Sequence, residues 1–143
     1  MPANRCYYFK DVRELVHPEI FNAIGEERCW ELIPDVVKLF LDTTRYEYGK
    51  PIRINDWHIG GTFSYSGVRP ADDRKYAFGS RHKNWNTFDL KDWSYNTDEL
   101  HKFIKSESVR LNIERIENFE HTKTWAHCEF GLVLVEKTIW FNP

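Results

Sequence analysis

Two separated stretches of the chain carry residue types that bind and use metal ions. The first covers residues 64–89 and contains an arginine, a histidine and an aspartate at Arg69, His82 and Asp89. The second lies in the last third of the chain and adds His127. Two histidines and a carboxylate form the ligand set of a catalytic type of zinc site, in which a fourth position stays open for water or substrate. The leading hypothesis from these residues is therefore a zinc site.

Spacing alone leaves other interpretations open. The chain has six histidines, and any of them can be a solvated or hydrogen-bonded surface residue. Ligands far apart in sequence are a weaker signal than a short motif such as His-Glu-x-x-His. Arg69 taken by itself is typical of a loop arginine in a surface ion pair. The tryptophans are typical of core or rim aromatics.

A strand predicted over residues 124–130 gives the second stretch a specific arrangement. Alternation puts Trp125, His127 and Glu129 on one face of that strand. A zinc ion lowers the pKa of a bound water towards neutrality. A nearby glutamate could accept a proton from that water and pass it to a leaving amine. This pattern indicates hydrolysis.

The order of the motifs adds a family resemblance. Residues 66–69 read Ser-Gly-x-Arg. Residues 80–82 read Ser-x-His, and Asp89 follows this histidine by seven positions. Residues 125–127 read Trp-x-His. This order resembles the D-alanyl-D-alanine carboxypeptidase family of zinc peptidases. Residues 48–57 are further similar to the small bacteriophage-encoded members of that family. The likeness covers the chain from about residue 30 to residue 130.

The resemblance implies a role for each matching residue. It makes His82, Asp89 and His127 the zinc ligands, with Ser80 orienting the first of them. Arg69 would bind the carboxylate or backbone of a peptide substrate, because its planar fork of donors suits that task. The further substrate contacts implied are Ser66 and Trp125. The substrate implied is a peptide of the bacterial cell wall that contains D-amino acids.

Three departures from the family pattern bear on catalysis. Trp85 stands where the family has glycine, and Thr87 stands where it has alanine. Thr124 stands where many members carry the glutamate that acts as general base. The first candidate base in this chain is Glu129, which stands at the place of the family's His-x-Asp carboxylate, and the second candidate is Glu117. The alternative function is that of a catalytically inactive metal- or ligand-binding phage protein on the same scaffold. A third possibility is an interaction domain without metal, which would follow if the histidines lay far apart in the structure.

The first half of the chain must position these residues through two helices and a strand. A short helix is predicted from Pro18 to Gly25, and an amphipathic helix from Pro34 to just before Gly49. Alternation over 52–55 predicts a strand with both isoleucines on one face. The glycine-rich and charged segment 56–79 is predicted to be a long connection that carries function.

The second half is predicted to be mostly strands. Residues 87–90 form a strand that puts Asp89 on the pocket face, and Thr97 caps a short helix. Strands are also predicted over 109–113, 124–130 and 132–135, and residues 139–141 dock the C-terminus. Helices followed by strands indicate an α+β fold. The resemblance implies helices packed on a small antiparallel sheet with a zinc site on its exposed face, as in hedgehog-like and DD-peptidase-like proteins.

Composition sets the remaining bounds. The 143 residues are 41% hydrophobic and 16% aromatic, which predicts one domain over residues 1–143. The net charge of −2 and the lack of a basic run argue against a general nucleic-acid partner. Three cysteines without close pairing argue against a disulfide framework. The N-terminus does not resemble a signal peptide, and no apolar run is long enough to span a membrane. We therefore expect a protein of the bacterial host cytoplasm or of the virion. The expected partner is a peptide or peptidoglycan-derived substrate, and the oligomeric state stays open.

Overall fold

A computed structural model describes residues 2–71 and 80–143 of the chain. Within these residues the chain forms three α-helices and one five-stranded sheet. The helices are α1 (Pro18–Leu32), α2 (Asp35–Tyr48) and α3 (Thr97–Glu107). The strands are β1 (Ile52–Arg53), β2 (Thr87–Asp92), β3 (Ile113–Glu117), β4 (Ala126–Phe130) and β5 (Ile139–Phe141). The charged and aromatic part of the predicted connection, residues 72–79, lies outside the described residues.

The sheet confirms the α+β class and corrects one part of the expected architecture. Its strand order is β1-β2-β4-β3-β5. The pairs β1–β2, β2–β4 and β3–β4 are antiparallel, but β5 pairs parallel to β3. The expectation of a wholly antiparallel sheet is therefore wrong. The reason is that the chain leaves β4, passes β3 and adds its last strand to the outer edge of β3.

Glycines mark the helix ends predicted from the sequence. The backbone at Gly25 has φ +80° and ψ 172°, which interrupts α1 at the predicted point, but the helix resumes and continues to Leu32. Gly49 has φ +75° and closes α2 as its left-handed C-cap, which confirms the predicted end. The cap of α3 is Asn96 rather than the predicted Thr97, because the Asn96 side chain accepts a hydrogen bond from the Glu99 amide.

The central strands have one apolar and one polar face. Phe88 and Leu90 of β2, with Cys128 and Phe130 of β4, are fully buried in the core. Helix α3 packs on the same side through side chains that are also fully buried, namely Leu100 and Ile104. Since successive residues of a strand point to opposite faces, the alternate residues of β2 and β4 lie on the other face of the sheet. That face carries the polar residues discussed below.

Two predicted strands are wrong, and Asn112 gives the reason. Residues 109–112 form a turn in which Asn112 takes the left-handed conformation with φ +58°, so the predicted strand over 109–113 begins only at Ile113. The Asn112 side chain also accepts a hydrogen bond from the Val135 amide and donates to the carbonyl groups of Gly131 and Val133. These bonds hold residues 132–135 as a loop instead of the predicted strand.

The length and composition of the helices bear on membrane association. In the two described segments, none of the helices combines the length and the apolar character needed to cross a bilayer.

Candidate metal centre

The three predicted ligands meet on the polar face of the sheet. His82 Nε2 lies 3.2 Å from His127 Nδ1 and 3.3 Å from Asp89 Oδ1. Asp89 Oδ1 lies 2.9 Å from His127 Nδ1. The three side chains thus offer one donor atom each around a common point, and this group can hold a metal ion. The alternative in which the histidines lie far apart is wrong.

The size of this triangle fits a small tetrahedral ion. In a tetrahedral site with metal–ligand bonds of about 2.0–2.1 Å, neighbouring ligand atoms are about 3.3 Å apart. The three observed distances of 2.9, 3.2 and 3.3 Å are close to that spacing. His82 Nδ1 lies 3.0 Å from the Gly67 carbonyl oxygen, so Nδ1 donates its proton there and Nε2 presents its lone pair to the triangle. Such a partner on the far nitrogen is usual for metal-binding histidines.

Strand pairing positions two of the ligands. Asp89 in β2 and His127 in β4 are direct cross-strand partners, so their side chains leave the sheet side by side. His82 comes from a short 3-10 turn, Arg81–Lys83, that precedes β2. Ser80 caps this turn by accepting a hydrogen bond from the His82 amide at 3.4 Å. The role implied for Ser80, support of the first ligand, is consistent with this contact.

The segment 64–70 fixes the turn that carries His82. The Ser66 carbonyl accepts a hydrogen bond from the Asp89 amide at 2.6 Å, and the Arg69 amide donates to the His82 carbonyl at 3.0 Å. Gly67 lies against the backbone of Leu15, where an added Cβ atom would come within 2.1 Å of the Leu15 carbonyl oxygen. Only glycine therefore allows this segment to approach closely enough for the Gly67 carbonyl to hold His82.

Arg69 binds groups within the protein around the metal centre. Its Nε donates to the Tyr65 carbonyl at 2.6 Å, and its Nη1 donates to Ser80 Oγ at 3.3 Å. Its Nη2 lies 3.7 Å from Asp89 Oδ2, the carboxylate oxygen that faces away from the histidines. Arg69 also lines the cleft in front of the ligands. These contacts hold Asp89 and the His82 turn in place.

Glu129 lies behind His127 rather than beside the ligand atoms. Its Oε2 is 3.6 Å from His127 Nε2, the nitrogen on the far side of the ring from the triangle. Its Oε1 is 3.3 Å from Arg115 Nη1 and 3.9 Å from Arg81 Nε. Glu129 is 2% exposed, so these contacts occur in a largely dry environment. The imidazole ring of His127 thus stands between this carboxylate and the ion position.

The charges of the group act on one another strongly. Burial acts to raise the pKa of Asp89, but the adjacent imidazoles of His82 and His127 outweigh it and hold that pKa well below its ordinary value. Burial acts to lower the pKa of His127, but the hydrogen bond with Asp89 and the neighbouring Glu129 raise it to about 9. Without metal, His127 is therefore a cation held between two carboxylates, with a proton on the Nδ1 atom that faces the ion position.

A cleft of about 550 Å³ opens in front of the ligands. Its lining includes Glu117 at the end of β3 and Phe141 of β5. The register that pairs Arg115 with Glu129 puts Glu117 opposite His127 at the next equivalent position. In the described part of the chain, Glu117 forms no ion pair, whereas Glu129 faces two arginines. Both predicted base candidates thus line the cleft, in different electrostatic surroundings.

A second, smaller cleft of about 240 Å³ adjoins the first. Asp89 and Trp125 line both clefts, and Ser66, Lys91, Phe63 and Thr124 complete the smaller one. Trp125 precedes β4 rather than belonging to it, yet it borders the metal centre as expected. Lys91 is buried, and this burial lowers its pKa to about 8.

The structure adds three contributors that sequence reasoning missed. The Gly67 carbonyl, Arg115 and Lys91 all touch ligands or the clefts. Alternation gave a usable signal for Lys91, since it lies two residues after Asp89 in β2 and therefore on the same face. Arg115 had no such signal, because its role depends on which strand pairs with β4. A backbone carbonyl contact is not visible in any sequence pattern.

Comparison with known proteins adds no family assignment. No family model, no curated protein and no solved structure matches this chain.

Proposed function

We propose that this protein is a zinc-dependent peptidase that hydrolyses peptides containing D-amino acids from the bacterial cell wall. The observation that carries the proposal is the triangle of His82, Asp89 and His127 donor atoms, which has tetrahedral spacing and opens on a cleft. Zinc bound there would polarise a water molecule and lower its pKa towards neutrality. The family resemblance supplies the substrate class and the bacteriophage origin.

The residues around the triangle have distinct tasks in this proposal. Glu129 orients His127 through its far nitrogen, and Arg115 keeps that carboxylate in place. Arg69 fixes the second carboxylate oxygen of Asp89, so that the first faces the ion. These contacts preorganise the ligands, which reduces the motion needed when metal and substrate bind.

Glu117 is the better placed general base. It lines the open cleft without an ion pair among the described residues, and its strand position is opposite His127. Glu129, by contrast, is separated from the ion position by an imidazole ring and faces two arginines. Glu117 therefore accepts the proton of the attacking water and returns it to the leaving amine as the carbon–nitrogen bond breaks. Glu129 remains the competing candidate.

The second candidate function is a binding protein on the same scaffold without catalysis. The observation that favours it is Thr124, an exposed residue without a carboxylate, at the position where the resembling family often has its base. In that case the metal centre would bind a ligand in the cleft, and the protein would act in phage assembly or in interference with the host.

Hydrolysis of defined peptides tests the proposal. Zinc-loaded protein is incubated with D-alanyl-D-alanine and with cell-wall stem peptides, and new amino groups and released D-alanine are measured. We expect release by the wild type and none by His127→Ala, while His121→Ala, a change at an exposed histidine outside the cleft, keeps the activity. A wild type that holds zinc but cleaves none of these peptides would leave only the binding function.

A further inference from the structure

The small cleft beside the candidate metal centre contains a buried cation, Lys91, that has no paired anion among residues 2–71 and 80–143. Lys91 is 4% exposed. Its Nζ donates to Ser66 Oγ at 2.7 Å and to the Asp89 carbonyl at 3.3 Å, and it lies 4.3 Å from the centre of the Phe63 ring. No carboxylate in the described segments forms an ion pair with this ammonium group. Asp89 and Asp56 attract it only from a longer distance.

This arrangement leaves the charge of Lys91 incompletely satisfied. An ammonium group has three N–H donors, and the two acceptors around it are neutral oxygens. Burying a charge without a hydrogen-bonded partner of opposite sign is costly. A metal ion at the adjacent centre would also take up the negative charge of Asp89. With metal bound, less negative charge would remain to compensate the positive charge of Lys91, so the cleft would favour an anion more strongly than without metal.

The position of the cleft decides where such an anion would lie. Asp89 and Trp125 border both clefts, so a group bound next to Lys91 lies directly beside the metal centre. A volume of about 240 Å³ has room for one small amino-acid residue. Arg69, which the family resemblance made the carboxylate anchor, already uses its guanidinium on Tyr65, Ser80 and Asp89.

We propose that Lys91 and Ser66 form the subsite that binds the free C-terminal carboxylate of the substrate. The lysine supplies the charge and its remaining N–H, and the serine hydroxyl supplies a second donor when it rotates towards the anion. The peptide bond next to that terminal residue then lies at the metal centre. This inference rests on the proposed function and makes the protein a carboxypeptidase that removes one small residue, rather than an endopeptidase.

Paired substrates test this assignment. Zinc-loaded protein is given an acyl-D-alanyl-D-alanine peptide and the same peptide with a C-terminal amide. We expect kcat/KM to be about a hundredfold lower for the amide, the size of a lost hydrogen bond to a charged group. Lys91→Met should remove this preference, so that the variant cleaves the acid and the amide with equal kcat/KM. Lys102→Met, on an exposed face of α3, should keep the wild-type preference.

A binding measurement keeps the test independent of turnover and of variant folding. N-acetyl-D-alanine and N-acetyl-D-alaninamide are titrated into isotope-labelled, zinc-loaded wild type. The acid alone should shift the backbone amide resonances of Ser66 and Phe63. Equal cleavage of acid and amide, or equal shifts by both titrants, overturns the carboxylate subsite and leaves the peptidase intact. Absence of cleavage together with acid-specific shifts overturns the peptidase and keeps the anion subsite.

Discussion

Asp89 and His127 are direct cross-strand partners in the centre of the sheet, and their donor atoms lie 2.9 Å apart. The pairing of β2 with β4 thus places two of the three candidate ligands on regular strands. The third ligand, His82, depends instead on a turn held by the Gly67 carbonyl. Ligands on strands are held more precisely than ligands on loops, so the site has a rigid half and a half that depends on local packing.

If His127 is a zinc ligand, a proton should compete with the metal for it, and zinc affinity should depend on pH. In the metal-free protein, Asp89 and Glu129 raise the pKa of His127 from its ordinary value of 6.5 to about 9. Metal must displace this proton, so zinc affinity should rise on the order of tenfold per pH unit between pH 6.5 and 9 and then level off. Calorimetric titrations at several pH values, in buffers of different ionisation enthalpy, measure the affinity and the released proton. Affinity that does not change with pH over this range would contradict the raised pKa of His127.

The same shift predicts how the stability of the metal-free protein depends on pH. A pKa that is raised on folding stabilises the folded state below the unfolded value and loses that contribution as the pH rises through the folded value. The melting temperature of the apo protein should therefore fall between pH 6.5 and 9. His127→Gln should flatten this part of the profile, whereas His121→Gln should leave it unchanged. An unaltered slope in His127→Gln would assign the titration to another group.

Two glutamate variants separate orientation of a ligand from proton transfer. Glu129→Gln removes the anion behind His127, so we expect zinc affinity to fall about tenfold or more while the bound enzyme keeps measurable turnover. Glu117→Gln should keep zinc affinity and lower kcat by about a hundredfold or more. Equilibrium metal binding and steady-state hydrolysis are measured on both. A loss of kcat in Glu129→Gln alone would identify Glu129, rather than Glu117, as the general base.

Much of the site could be predicted from the alternation of apolar and polar residues along two strands. The strand that contains Asp89 and the strand that contains His127 follow period-two patterns, so the face of each ligand was readable from the sequence. The relative position of the two strands was not, because strand order depends on long-range pairing. The contact of Arg115 remained hidden for the same reason, whereas Lys91, two residues after Asp89 in β2, could have been found by alternation.

The failed predictions have local causes. The predicted strands over 109–113 and 132–135 have an apolar composition, yet the left-handed backbone of Asn112 and the hydrogen bonds of its side chain keep residues 109–112 and 132–135 outside the sheet. Asn112 alone thus prevents two segments from forming the strands that their strand propensity favours. The parallel addition of β5 also leaves no signal, since its residues alternate equally well for either strand direction.

Gly67 gives a stability test of the half of the site that depends on a turn. A methyl group at this position would collide with the Leu15 carbonyl oxygen at 2.1 Å. Gly67→Ala should therefore lower the free energy of unfolding by about 1–3 kcal/mol through overpacking and weaken zinc binding through the displaced His82 anchor. Chemical denaturation and metal titration measure the two effects.

Gly60 supplies the matched control for that substitution. Its backbone has φ +89°, but an added Cβ would meet no atom within 4 Å. Gly60→Ala should cost about 1–2 kcal/mol from backbone strain and leave zinc affinity unchanged. Equal zinc affinity in both alanine variants would mean that the Gly67 segment does not position His82.

The metal content of the purified protein shows whether His82, Asp89 and His127 bind zinc. Purified protein, dialysed against zinc and then against metal-free buffer, is analysed for divalent metals alongside His82→Ala, Asp89→Ala, His127→Ala and the control His121→Ala. A site with three protein ligands should retain about one zinc per chain in the wild type and in the control, and should lose it in the three ligand variants. Wild-type protein that retains no divalent metal, or ligand variants that retain it as well as the control, would contradict the account.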